Sequence, residues 1–208
     1  MEKGKELILL AQRIRALSQT ALAYSEDNYE IERSHELIVI SDRITSLVTG
    51  VKDEEIASSY VLQKEYVTPK VDIRAVVFNE KGEVLLVREK ADGRWAMPGG
   101  WSDVGFTPRE VVVKETKEET GLDVRADRLL AVMDKRCHPH PPGSFYIYKL
   151  FILCEWIGGE FSETFDILDR GFFALDKLPP LSLERTLAEH ILLMDELRRD
   201  PSAPVYLD

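Results

Sequence analysis

The sequence predicts an α/β fold of the α+β kind, with a helical hairpin ahead of a sheet built around one central helix. Two changes of pattern along the 208 residues support this reading. Up to about residue 66 the apolar residues recur at helical spacing. Beyond YVTPK the period becomes strand-like, and it returns to helical only in two delimited stretches.

Leu7, Leu10, Ile14, Leu17 and Ala21 alternate steps of three and four and line one helical stripe. Leu37, Ile40, Ile44 and Leu47 repeat the pattern, SEDN between them supplies turn and N-cap residues, and Gly50 is a stop. KDEEIASSYVLQ adds a short third helix. This region, residues 1–66, reads as a helical domain with no chemistry of its own, a scaffold or dimerisation element. The stripes offer apolar surface that a lone hairpin does not fully bury, which points to a homodimer.

The second domain, residues 67–208, begins with VDIRAVVF, the turn NEKGE and VLLVRE, a β-hairpin pattern. ADGRWAMPGGWSDVG reads as a loop, and residues 107–120 as a helix. VRADRLLAVMD and FYIYKLFILCEW read as strands, with a further strand around GFFAL, and LSLERTLAEHILLMDELRR as a closing amphipathic helix.

A formal charge of −10 argues against a general nucleic-acid coat protein, because duplex affinity comes largely from Lys and Arg neutralising phosphates. It leaves room for a small phosphorylated ligand whose charge a divalent cation offsets. The two cysteines, Cys137 and Cys154, form no CxxC pair and suit a reducing compartment. The apolar run in MEKGKELILLAQRIRAL is broken by charge too soon for a signal peptide or membrane span, so the expectation is a cytoplasmic protein with no membrane partner.

The chemistry gathers in KETKEETG. On a helix, Glu115, Glu118 and Glu119 share one face, an arrangement that costs about 0.2–0.5 kcal/mol per like-charged pair. The helix is well delimited: Thr107 suits the N-cap, Pro108 the first turn, Glu110 a capping box, and Gly121 the left-handed C-terminal position. Val112, Val113 and Thr116 are placed on its core face. The glycines of PGGW permit close backbone approach. Three carboxylates with backbone carbonyls, Gly99 among them, form an all-oxygen environment of the kind Mg²⁺ or Mn²⁺ prefers.

GGWSDVGFTPREVVVKETKEETGL resembles the Nudix box, G-x5-E-x7-R-E-U-x-E-E-x-G-U, where U is a bulky aliphatic residue. With Gly100 as the first glycine, Glu115, Glu118, Glu119, Gly121 and Leu122 fall on family positions. Phe106, Lys114 and Thr116 depart from the pattern, standing where it has Glu, Arg and an aliphatic residue. The resemblance implies a mixed sheet between helices, an α/β/α sandwich. It also implies hydrolysis of the pyrophosphate of a nucleoside diphosphate linked to a group X, with Mg²⁺ or Mn²⁺ as cofactor. Phe106 is then expected to pack where the family has an ion pair.

On that resemblance Glu115, Glu118, Glu119 and Gly99 would hold metal. Glu115 is the expected general base, with Glu160, Asp166 and Asp169 as loop alternatives. Arg74, Arg88, His138, His140 and Trp101 are candidates for substrate binding, Trp95 and Trp101 flanking the glycine loop. HPHPP raises a metal site through His138 and His140, but beyond the adjacent Cys137 no further His or Cys lies near in sequence, whereas a zinc site needs about four ligands. RCHPHPPGSFYIYKLFILCEWIGGEF and LPPLSLERT resemble a bacterial subgroup with an added N-terminal helical domain, which includes CDP-choline and ADP-ribose pyrophosphatases. CDP-choline is the first substrate expectation, and ADP-ribose or another nucleotide sugar the alternative. A non-catalytic nucleotide sensor and an RNA-processing Nudix enzyme are the rivals.

Overall fold

The structure, a computed structural model, describes residues 2–60 and 66–208. The chain divides into two compact units, Met1–Pro69 with Pro142–Tyr146, and Lys70–Pro141 with Ile147–Asp208.

The first unit holds α1 (Glu2–Tyr24), α2 (Asn28–Thr49) and α3 (Asp53–Ser59). Asp27 caps α2, its side chain accepting from the backbone N–H of Tyr29 and Glu30, and Gly50 ends it in the left-handed conformation. The predicted third helix closes at Ser59, and its continuation from Val61 lies outside the described residues. Within the unit Gln12 Nε2 donates to Gly143 O at 2.8 Å, and Tyr60 meets Phe145 edge-on at 5.2 Å.

The two predicted stripes are not the buried seam of this hairpin. Leu10, Leu17 and Leu47 are 52%, 53% and 70% exposed, while Ile8, Ala11, Arg15 and Ser18 face Ile38, Ser41, Asp42 and Thr45 inside. Small residues let the two backbones approach: Ser41 Oγ donates to Ala11 O at 2.8 Å. Arg15 pairs with Asp42 in the middle of the seam, and its guanidinium lies 3.7 Å over the Tyr60 ring. The exposed leucines sit one position round from the buried residues and Ile14 and Ile44 are half-buried, so much of the predicted apolar stripe faces outward.

The second unit contains β1 (Lys70–Val77), β2 (Val84–Glu89), β3 (Trp95–Ala96), β4 (Gly99–Trp101), α4 (Pro108–Thr120), β5 (Leu122–Asp134), β6 (Ile147–Gly159), β7 (Ile167–Phe173), α5 (Ala188–Arg199) and β8 (Tyr206–Leu207). Among the described residues the strands form two sheets, ordered β4-β1-β6-β5-β8 and β3-β2-β7. β1 runs parallel to β6, and β5 antiparallel to β6, so the larger sheet is mixed.

β1 and β2 do not form the expected hairpin. The turn exists, with Asn79 N donating to Glu83 O at 3.0 Å, but beyond the Phe78–Val84 bridge the strands part into different sheets. Each takes longer partners, β6 for β1 and β7 for β2. The predicted glycine loop contains two short strands, β3 and β4. Of the predicted closing helix, residues 181–187 are not helical. Leu181 bridges Trp95, and Thr186 Oγ1 accepts from Met97 N at 3.0 Å. These bonds to the β3–β4 segment compete with helical ones.

β1 alternates between two cores. Ile73, Ala75 and Val77 pack with Val111 and Val112 of α4, while Val76 packs with Ile191 and Met194 of α5. The larger sheet therefore lies between the two helices. On the α5 side of β1 and β6 runs a row of buried polar residues, Arg74, Asp72 and Lys149, joined by hydrogen bonds.

Candidate active site

α4 starts and stops where its sequence dictates. Thr107 Oγ1 accepts from Glu110 N, the Glu110 carboxylate accepts from Thr107 N at 2.7 Å, Pro108 occupies the first turn, and Gly121 closes the helix at φ 84°. Val111, Val112 and Thr116 are the buried face, and Val113, expected there, is 37% exposed. That rotation turns Glu115 and Glu119 toward β4, with Glu118 more exposed.

The contact between helix and glycine segment is specific. Gly99 N donates to Glu119 Oε2 at 2.9 Å. A Cβ on Gly100 would stand 3.4 Å from Glu115 Oε2, so the carboxylate lies close against this backbone. Gly99 is required for another reason. Its φ is 137°, and a Cβ there would meet Ile73 O at 2.0 Å.

Burial pushes the Glu119 carboxyl up to about 8, against the pull of Arg74 and of the Gly99 N–H, and the neighbouring Glu89 and Glu115 carboxylates push the same way. Lys114 lies between the other two carboxylates, its ammonium 3.3 Å from Glu115 and 2.9 Å from Glu118. A cation already bridges them in this position, although the family pattern has Arg there. Phe106 does not pack as expected; it is 45% exposed. The donor set of Glu115, Glu118, Glu119 and the Gly99 carbonyl consists of hard oxygen atoms, and the buried Glu119 carboxyl gains from a nearby positive charge. Both facts fit a hard divalent cation.

The other expected residues separate. Arg74 is buried, donating to Asp72 at 3.0 Å and to Met97 O at 3.0 Å, with Glu89 at 3.9 Å. Arg88 is exposed and donates to Gly93 O at 2.8 Å. Trp101 is 48% exposed with Lys70 Nζ 5.5 Å from its ring centroid. Trp95 packs edge-on against Phe173 at 4.6 Å. Glu160, Asp166 and Asp169 are exposed, on and beside β6 and β7. His140 is buried with Nδ1 at 2.6 Å from Leu183 O, and His138 Nε2 is 3.2 Å from Asp208.

Sequence reading missed Glu89, which ends β2 between Arg74 and Arg185, the latter at 3.0 Å. Burial raises its carboxyl, opposed by those two arginines. Lys149 and Asp72 were also missed. The one signal for either was a charged residue inside an otherwise apolar strand run, VDIRAVVF and YKLFILC.

Residues 68–194 match the NUDIX domain family, and residues 5–60 match a family described as the UDP-X-like, N-terminal oligomerisation domain. The chain belongs to the Nudix family. It is 40% identical over 198 residues to a putative ADP-ribose pyrophosphatase, YjhB, of Bacillus subtilis, covering 95% of each chain. A solved ADP-ribose pyrophosphatase from Streptococcus suis is 45% identical at a TM-score of 0.62, covering 68% of this chain and all of that one. The solved UDP-X diphosphatase is 32% identical at a TM-score of 0.64, covering 99% of both chains. This Nudix hydrolase therefore shares both the catalytic fold and the added N-terminal helices with full-length relatives. Among the described residues no helix is long and apolar enough to cross a membrane.

Proposed function

We propose that this Nudix hydrolase cleaves the pyrophosphate of a nucleoside diphosphate linked to X, with Mg²⁺ or Mn²⁺, and that ADP-ribose and related nucleotide sugars are its substrate class. The observation behind this reading is the 2.9 Å bond from Gly99 N to Glu119, which holds the carboxylate face of α4 against the glycine strand. The names of the Bacillus subtilis and Streptococcus suis relatives favour ADP-ribose. The UDP-X diphosphatase favours the same linkage with a different base.

Glu115, Glu118, Glu119 and the Gly99 carbonyl would hold the cation. When bound, it supplies neutralising charge and lowers the pKa of an adjacent water. Glu115 takes the proton from the attacking water as its oxygen bonds to phosphorus. The bond to the bridging oxygen breaks, giving a nucleoside monophosphate and phosphorylated X. Arg88 and Trp101, both exposed, meet phosphate and base, and buried Arg74 braces Glu119 and Glu89 from behind. The outward apolar face of α1 and α2 pairs two copies into a homodimer.

The test is a panel of ADP-ribose, UDP- and ADP-sugars, CDP-choline and capped RNA with Mg²⁺ or Mn²⁺, products identified by mass. Cleavage of ADP-ribose or a nucleotide sugar, lost in Glu118→Gln and Glu119→Gln, is the expected result. Preferential cleavage of CDP-choline would move X to choline. Ligand binding without turnover of any compound would replace the hydrolase by a sensor.

A further inference from the structure

The start of α5 brings three histidines together. His138 and His190 stack edge-on at 4.7 Å between centroids, and His140 lies 5.1 Å from His190. His190 is 1% exposed, and neither of its ring nitrogens has a hydrogen-bond partner; His140 Nε2 is also buried without one. Buried polar atoms left without a partner are destabilising, and such a concentration calls for a ligand.

The third element is a carboxylate. One ligand atom each from His138, Glu189 and His190 lie within 4.8 Å of one another, with His138 Nδ1 3.8 Å from Glu189 Oε1. Tetrahedral coordination at bonds of about 2.0–2.1 Å places ligand atoms about 3.3 Å apart, so a modest contraction closes the set. His138 Nε2 meanwhile faces Asp208 at 3.2 Å. A carboxylate that accepts the far N–H of an imidazole orients the ring and presents its other nitrogen to a metal.

We propose that His138, Glu189 and His190 form a second metal site, for a divalent d-block cation of the Zn²⁺ class. Two imidazoles and one carboxylate suit such an ion better than Mg²⁺, which prefers all-oxygen sites. His138 Nδ1, a Glu189 oxygen and one His190 nitrogen are the protein ligands, and Asp208 supports His138 from outside. The site is separate from the carboxylates of α4. His190 packs on Phe151 at 5.4 Å, on the face of the sheet covered by α5, whereas α4 packs on the other face. The nearby Lys149 has its charge compensated by Asp72. The cation ties the segment after β5 to the first turn of α5 and, through Asp208, to the strand β8. Along the sequence HPHPP has only the exposed Cys137 beside it; Glu189 and His190 supply the further ligands from about fifty residues away.

The test titrates the chelator-stripped full-length protein with Zn²⁺ and, for its visible absorption, Co²⁺. A Glu118→Gln/Glu119→Gln background removes the carboxylate site from the measurement. One equivalent should bind in that background, with a Co²⁺ spectrum lacking thiolate charge transfer, and Zn²⁺ should raise the melting temperature. His138→Gln and the exposed Glu189→Gln should each weaken Zn²⁺ binding by about 100-fold or more, and Asp208→Asn by about 10–100-fold. Circular dichroism checks that each variant is folded. Cys137→Ser should bind as before. Unchanged affinity in folded His138→Gln and Glu189→Gln, or loss of the site in Cys137→Ser, would overturn the assignment. The readout is metal binding, so absence of pyrophosphatase activity would leave it standing.

Discussion

Lys149 of β6 and Asp72 of β1 lie directly opposite in the parallel pairing of the two strands, and the buried ammonium donates to the buried carboxylate. Arg74, two residues along β1, donates to the same carboxylate at 3.0 Å. Two cations thus share one anion beneath α5, and Arg74 also has Glu89 at 3.9 Å. Burial alone would raise Asp72, but Arg74 and Lys149 hold it down at about 2.

Asp72→Asn leaves the buried Lys149 without its counter-charge and Arg74 with only the more distant Glu89 and Glu119. Removing one partner of a buried pair costs about 3–5 kcal/mol, and the urea midpoint should fall accordingly. Lys149→Met should cost less, since Arg74 still compensates Asp72. Equal losses in the two variants would contradict the shared-anion arrangement.

Adjacent glycines should differ sharply in what they tolerate. Gly99→Ala forces a Cβ onto Ile73 O and requires a φ of 137°, so the β1–β4 pairing should fail and the protein should not accumulate folded. Gly100→Ala meets only the Glu115 carboxylate at 3.4 Å, an ordinary van der Waals contact. Its melting temperature and kcat should both stay near wild type, whereas Glu115→Gln should lower kcat about 100-fold or more. A Glu115→Gln enzyme of normal kcat would remove Glu115 from the chemistry.

The Glu119 carboxyl makes stability pH-dependent when no metal is bound. Its folded value is raised from 4.5 to about 8, so the folded chain holds this proton more tightly than the unfolded one. The contribution is full below 4.5 and is lost as pH rises through about 8. His140 and His190, pulled by burial from 6.5 to about 3, act in the opposite sense, but only below about 6.5. Lys149, lowered by burial to about 8, also acts in the opposite sense, but only above that value. Between about pH 6.5 and 8 the chelator-treated protein should therefore lose melting temperature. Glu119→Gln should flatten that slope, and Mg²⁺ or Mn²⁺ should restore stability to the wild type alone. Parallel slopes for the two proteins would sink the assignment.

What the sequence displayed was local. Thr107, Pro108, Glu110 and Gly121 mark the ends of α4 because capping bonds reach only three or four residues, and the spacing of Glu115, Glu118 and Glu119 follows from helical geometry. Long-range partners were invisible. Nothing near residue 138 points to His190, and nothing in VDIRAVVF shows that Asp72 meets Lys149 across β6. NEKGE correctly marks a turn, but whether the strands on either side pair is decided by β6 and β7, which compete for them. The N-terminal stripes expose a different limit. Periodicity identifies the apolar face of a helix, while burial of that face depends on a partner, and the neighbouring helix took the other one.

That inverted hairpin leads to the final prediction. Leu10, Leu17 and Leu47 remain exposed while Arg15 and Asp42 are sealed inside, a distribution that is costly for a lone hairpin and natural for one that pairs with a second copy. The match of residues 5–60 to an oligomerisation domain points the same way. Leu10→Glu with Leu47→Glu places charge on the outer face without touching the seam. Helix content should persist and light scattering should report the mass of one chain, against two for the wild type. Asp42→Asn makes the opposite change, leaving Arg15 buried without its counter-ion, and should cost helix content itself. If the double glutamate variant kept the wild-type mass, the outer leucines would not be the interface. The seam residues would then explain folding alone.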